Sequence, residues 1–198
     1  MSGPRARLFL ALDLPEPARA SIGSWRDRLI SGRADLRPVR PEALHVTLVF
    51  LGWQDESAAP RLAEAAFRAL PPGPAPVVTP LEVRSLPPRS ARLFALDLDD
   101  EGGRATALQA AASAALEAGG WYRPEKRPFW PHLTLARVKR GERRVAPLPD
   151  EPPPREPFAT PAATLYRSTL RPQGALYEPL ARTVLVDAGD PAPQPSAD

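Results

Sequence analysis

"PEALHVTLVFLG" (residues 41–52) and "RPFWPHLTLARVKR" (residues 127–140) hold between them the only two histidines of this 198-residue chain. Both stand in the same phrase, His-x-Thr-Leu: His45-Val46-Thr47-Leu48 and His132-Leu133-Thr134-Leu135. Each phrase reads as part of a β-strand. Side chains two apart on a strand share a face. His45 therefore points with Thr47, and His132 with Thr134, while Val46, Leu48, Leu133 and Leu135 turn toward a core. At ordinary usage of Thr and Leu, chance places both histidines of a chain in this phrase on the order of once in tens of thousands of chains. The two phrases are a pair.

What precedes them is also paired. "RLFLALDL" (7–14) and "RLFALDL" (92–98) are nearly the same alternating strand, each leading through a helix-spaced segment to a His-x-Thr-Leu strand. His45 lies 38 positions after Arg7, and His132 lies 40 positions after Arg92. Two strand–helix–strand units of matched length predict a duplicated half-domain with two facing lobes. The periodicity predicts helices over 15–30, 56–70 and 104–119, the last closed by Gly119. Further strands are expected over 77–86, 163–170 and 175–186, with a proline-rich loop over 145–157. One domain of residues 1–186 is expected, followed by a disordered tail, 187–198.

Composition narrows the chemistry. There is no cysteine, so disulfides, thiolate nucleophiles and sulfur-ligated metals are excluded. Two histidines make a histidine-rich zinc site a poor expectation. No apolar run approaches the roughly 20 residues needed to span a bilayer, so no membrane association is expected. "LFLALDL" follows Arg5 and Arg7 as the core of a secretion signal would, but it is short and Asp13 interrupts it. A cytoplasmic protein is expected. Of 26 basic residues only Lys126 and Lys139 are lysines. Arg123, Lys126, Arg127, Arg137, Lys139, Arg140, Arg143 and Arg144 crowd around the second phrase, a basic rim suited to a phosphate-bearing ligand.

If the lobes face each other, two imidazoles and two hydroxyls converge on one cleft. That set suits phosphoryl transfer without a metal. In-line displacement needs one group to deprotonate the attacker and an opposite one to protonate the leaving oxygen. Imidazole, with an ordinary pKa of about 6.5, serves either role near neutral pH. Threonine hydroxyls can donate to the non-bridging oxygens where charge accumulates.

With these residues the chain resembles the two-histidine (2H) phosphoesterases, specifically the bacterial and archaeal RNA 2′,3′-cyclic phosphodiesterases, or 2′-5′ RNA ligase family. The resemblance runs from Arg7 to about Arg182, through "RLFLALDLP", "RPVRPEALHVTLVFLG", "RPFWPHLTLARV" and "TLYRSTLRPQGALYEPL". It implies an α+β fold of two pseudo-symmetric lobes, each an antiparallel sheet with flanking helices, lining a central cleft. It also implies hydrolysis of a 2′,3′-cyclic phosphate to a 2′-phosphate, with His45 as proton donor, His132 as proton acceptor, and Thr47 and Thr134 on the phosphate. Arg137 fits the basic position after the second motif. Pro38 stands where many members carry tryptophan. For the base of the substrate, Phe9 and Trp130 are the aromatic candidates, since single-stranded RNA is commonly held by stacking.

The expected partner is RNA ending in a 2′,3′-cyclic phosphate, such as a tRNA fragment, or a free 2′,3′-cyclic nucleotide. The protein is expected to be a monomer without cofactor or metal. Two other readings are carried. Microscopic reversibility allows 2′-5′ RNA ligation in the same cleft, although water at about 55 M outcompetes a second RNA end that is not held. A non-catalytic RNA- or nucleotide-binding module would keep the cleft but needs no pair of titrating groups.

Overall fold

The computed structural model describes residues 3–142, 145–171 and 174–185. The predicted tail, together with Arg143 and Arg144, lies outside the described residues. In chain order the elements are β1 (Arg5–Asp13), α1 (Glu16–Leu29), β2 (Leu36–Pro38), β3 (His45–Asp55), α2 (Ala59–Ala69), β4 (Val77–Leu86), β5 (Leu93–Asp100), α3 (Arg104–Ala118), β6 (His132–Val138), β7 (Phe158–Ala159), β8 (Ala162–Arg171) and β9 (Gly174–Val184). Every helix and strand expected from periodicity is present. The two that periodicity missed, β2 and β7, are three and two residues long. They are too short to carry a repeat of two, and pairing alone makes them strands.

The strands form two antiparallel sheets, one in the order β3-β1-β8-β9 and one in the order β2-β6-β5-β4-β7. The duplicated strands occupy equivalent places. In the first sheet Ala11, Leu12 and Asp13 of β1 lie opposite Thr47, Val46 and His45. In the second, Ala95, Leu96 and Asp97 of β5 lie opposite Thr134, Leu133 and His132. Each pairing carries a register shift at the same point, just before Ala11 and just before Ala95. Bulges of this kind bend a strand and increase its twist. The sequence repeat is thus a repeat of register.

Apolar side chains from both sheets and all three helices merge into one large core. Val46, Leu48, Leu133 and Leu135 are all buried in it, as the alternation requires. Full burial of each large aliphatic side chain contributes about 1.5–3 kcal/mol. Helix α1 starts with prolines in its first turn, carries Glu16 there, and has Arg26 and Arg28 in its last turn, an order that complements the helix dipole. Its Ile22, Trp25 and Leu29 form the buried stripe. Helix α3 buries Ala105, Leu108, Ala112 and Leu116 at helical spacing. The Asp100 carboxylate caps it, accepting the backbone N–H of Ala105 (2.8 Å) and of Thr106 (2.7 Å). Past its end, the Trp121 ring lies across Gly119 so closely that a Cβ there would stand 2.2 Å from it.

The helices tie the lobes together. Helix α3, which follows β5, packs on β3 of the other sheet and against α2. Residues Ala18 and Ile22 of α1 share a small groove with Pro80 and Phe158 of the second sheet. The buried Arg26 guanidinium donates to the Val39 carbonyl and to Asp27. Helix α1 thereby fixes the segment between β2 and β3. Among the described residues, no helix is long and apolar enough to cross a membrane.

Candidate active site

His45 opens β3 and His132 opens β6, and these strands lie against one another where the sheets meet. Both imidazoles are half-buried. Each is held in the same way. The Nδ1–H of His45 donates to the Ala43 carbonyl at 2.8 Å, and that of His132 donates to the Trp130 carbonyl at 2.8 Å. With Nδ1 so engaged, Nε2 is the nitrogen left for chemistry on both rings. In the first site the Thr47 hydroxyl donates to His45 Nε2 at 3.1 Å, which confirms that residues 45 and 47 share a face.

A cleft of about 260 Å³ opens there, lined by His45, Thr47, Thr134 and Arg137 together with Phe9, Arg7, Arg37 and Tyr177. Of the residues singled out from sequence, His45, Thr47, Thr134, Arg137 and Phe9 meet in this one space. His132 and Trp130 are not part of its lining. The Trp130 ring instead stacks on the His132 imidazole, centroids 4.0 Å apart and planes within 15°. Phe9 is buried beneath the cleft, 4.8 Å from the His45 ring.

Aspartates stand at equivalent places behind the two histidines, but their surroundings differ. Asp13, opposite His45, accepts from Thr164 Oγ1 (2.9 Å), Tyr166 Oη (2.7 Å) and Arg182 Nε (3.1 Å). Burial and Asp13 together push the Tyr166 hydroxyl well above its ordinary range, so it stays a donor. Asp97, opposite His132, is paired through Oδ2 with Arg84, while its buried Oδ1 has no well-formed hydrogen bond among the described residues. Burial raises the Asp97 pKa against the opposing pull of Arg84, the Trp130 indole and His132.

Burial lowers the proton affinity of both histidines. His45 is pushed down to about 4, mainly by desolvation, with His132 and Arg137 adding to the shift and Asp13 opposing it. His132 is lowered by the same desolvation, with Asp97 opposing it. Both rings are therefore neutral in the empty cleft at pH 7. An anion bound beside His45 favours its imidazolium form.

Several lining residues carried no role in the sequence reading. Tyr177 meets Phe9 (4.9 Å) and His45 (5.1 Å) edge-on. Ser168 and Leu170 line the cleft from β8, and Arg7 lies over Phe50 with its guanidinium carbon 5.2 Å from the ring centroid. Period-two alternation in "YRSTL" would have placed Tyr166, Ser168 and Leu170 on one face. The basic lining also differs from expectation. Among the described residues of the predicted cluster, only Arg137 lines the cleft, and Arg127 pairs with Glu125 at the surface. Arg7 and Arg37 supply the rest from distant parts of the chain. Their convergence depends on strand order, which residue counting does not reveal.

Known proteins resemble this chain over most of its length. The model of the 2′-5′ RNA ligase superfamily matches residues 14–165. The chain is 35% identical over 192 residues to an RNA 2′,3′-cyclic phosphodiesterase of Thermus thermophilus, covering 89% of this chain and 88% of the relative. It is 31% identical over 204 residues to the protein of that name in Escherichia coli, covering 93% and 99%. Among solved structures it is similar to a phosphoesterase (TM-score 0.75, 27% identity, 93% of this chain and 100% of that one). It is also similar to Escherichia coli LigT complexed with 3′-AMP (TM-score 0.73, 28% identity, 92% and 99%).

Proposed function

Because the chain belongs to the 2′-5′ RNA ligase superfamily, we propose that it hydrolyses RNA 2′,3′-cyclic phosphate ends to 2′-phosphates by paired-histidine acid–base catalysis. The observation that carries this reading is the equivalent register of the two His-x-Thr-Leu strands around one cleft. His132 Nε2 takes a proton from water as the water oxygen attacks phosphorus. The bond from phosphorus to the ribose 3′ oxygen breaks in line, and that oxygen receives the proton from His45 Nε2. The products are a 2′-phosphate and a free 3′ hydroxyl, with His45 left neutral and His132 protonated. Solvent resets both.

Thr47 and Thr134 donate to the non-bridging oxygens, and Arg137 balances the charge that builds there. The Thr47 hydroxyl, resting on His45 Nε2 in the empty cleft, turns to the phosphate as His45 becomes protonated. Phe9 backs His45 from below. Trp130 holds His132 by its carbonyl and its ring, and its outer face is where a substrate base would stack. The single domain of residues 1–186 would act as a monomer on RNA in the cytoplasm. Hydrolysis is favoured over ligation because water at about 55 M outcompetes a second RNA end that is not held in place. Product analysis tests the reading: with adenosine 2′,3′-cyclic phosphate, adenosine 2′-phosphate is expected, and release of the 3′ isomer would exchange the leaving oxygen.

The site residues supply both proton transfers, and among the described residues no three His, Cys, Asp or Glu side chains gather as metal ligands. Activity is therefore expected to persist in excess EDTA. Loss in chelator with recovery on adding a divalent ion would replace this mechanism by a metal-assisted one.

The depressed His45 pKa gives a second expectation. Below about pH 4 His45 is already protonated, and at high pH it stays neutral even with an anion bound. Between these limits, binding an anion draws a proton in, so affinity falls as pH rises. Sulfate, which does not titrate in this range, is expected to bind with proton uptake near pH 6. Calorimetry in buffers of different ionisation enthalpy reads that uptake directly. Sulfate binding that ignores pH from 5 to 7 would contradict the assignment of His45 to the phosphate.

A further inference from the structure

Beside the main cleft lies a small annexe of about 30 Å³, lined by Arg37, Arg40 and Arg137. It opens off the cleft, sharing Arg37, Val39, Ala43, Arg137, Ala175 and Tyr177 with it. There is room for the oxygens of an anion and none for a nucleobase. Among the described residues, no acidic side chain lines either space. Arg40 and Arg137 enter no ion pair among the described residues, whereas Arg33, Arg84, Arg167 and Arg182 all do.

The register sharpens this. Arg37 of β2 stands directly opposite Arg137 of β6. Like charges facing each other across an antiparallel pair oppose the pairing. Such an arrangement is relieved when an anion bridges the two guanidiniums, each of which can offer a planar pair of donors to phosphate oxygens. Arg40 is held in a fixed relation to the first histidine. Its carbonyl accepts the Ala43 N–H at 2.9 Å, and the Ala43 carbonyl accepts His45 Nδ1–H at 2.8 Å. Buried Arg26 pins the intervening Val39 carbonyl from behind. The annexe is thus a rigid neighbour of the reacting centre.

Resting on the function proposed above, we infer that Arg37, Arg40 and Arg137 form a second anion subsite for the phosphodiester on the 5′ side of the terminal nucleotide. The substrate class is then an RNA strand ending in a cyclic phosphate. A free nucleoside 2′,3′-cyclic phosphate, whose 5′ position is a hydroxyl, fills only half of the site.

Binding of ligands that no diester hydrolysis can consume tests the subsite apart from turnover. Adenosine 2′-phosphate, adenosine 2′,5′-bisphosphate and a diadenylate ending in a 2′-phosphate would be titrated into the wild-type protein. The second and third are expected to bind about tenfold tighter than the first, with the gain shrinking at high salt. A gain for the diadenylate as well as the bisphosphate assigns the subsite to a strand. A gain confined to the bisphosphate overturns the strand assignment and leaves a 5′-monophosphate site. In Arg40→Gln, whose side chain is exposed, the gain is expected to shrink about fivefold, while Arg68→Gln on α2 leaves it intact. Equal binding of all three ligands, or a gain untouched by both Arg40→Gln and Arg37→Gln, overturns the subsite. Absence of turnover on cyclic phosphates, with the binding difference intact, would instead fault the proposed reaction.

Discussion

His132→Ala is expected to lower kcat on 2′,3′-cyclic phosphates by about 10³–10⁴-fold, and no improvement of the leaving group will restore it. Water still needs a base, and the one remaining imidazole, His45, is assigned to the leaving oxygen. His45→Ala is expected to lose a similar factor on the ribose substrate. However, its proposed task is to protonate a poor alkoxide as it departs. On an analogue whose leaving oxygen is a nitrophenolate, that need largely disappears, and His45→Ala should recover most of the lost rate. Comparing both variants on both substrates therefore reads the two roles separately. Rescue of His132→Ala in place of His45→Ala would exchange the roles. Rescue of neither would mean that the histidines serve to hold phosphate and that the proton donor lies elsewhere.

Thr134→Val, which keeps the β-branched shape and removes only the hydroxyl, is expected to cost about 10²–10³-fold on both substrates alike. A donor that stabilises charge on the non-bridging oxygens acts whatever the leaving group. Thr47→Val should show a loss of the same order on the ribose substrate, with one difference. In the empty cleft its hydroxyl also donates to His45 Nε2, so its removal leaves the neutral ring without that support and raises the His45 proton affinity. Thr47→Val should therefore move the pH profile upward while Thr134→Val leaves it in place. Thr47→Ser and Thr134→Ser, which keep the hydroxyl, should retain most of the activity. Serine variants as slow as the valines would point to packing and not to hydrogen bonding as the role of these side chains.

The sequence was informative where its message is local. The alternation in "RLFLALDL" and "HVTLVFLG" names strands, faces and inward anchors, because a strand's side-chain period depends on nothing beyond the strand. The near-copy at 92–98 and 132–138 then revealed the duplication, since equal spacing in the chain became equal register in the sheets. What depends on pairing was not legible. Two residues at Phe158–Ala159 become a strand only because Val77 and Val78 lie beside them. Arg37 and Arg137 are 100 positions apart and become neighbours through β2 and β6. Tyr177 reaches His45 because β9 pairs with β8, which pairs with β1. Among the described residues of the basic cluster read around the second phrase, Arg137 alone lines the cleft. Nearness in the chain beyond the end of β6 says little about which way a loop turns.

The unequal settings of Asp13 and Asp97 carry a consequence for how such a site can be built at all. Were the two halves separate copies associating about a twofold axis, every residue of one would be matched by its twin. Both histidines would then share a single proton affinity, and only an asymmetric ligand could tell donor from acceptor. Joined in one chain, the halves are released from that identity. Asp13 can be surrounded by Thr164, Tyr166 and Arg182 while Asp97 is paired with Arg84. The two imidazoles therefore sit in unequal surroundings before any substrate arrives.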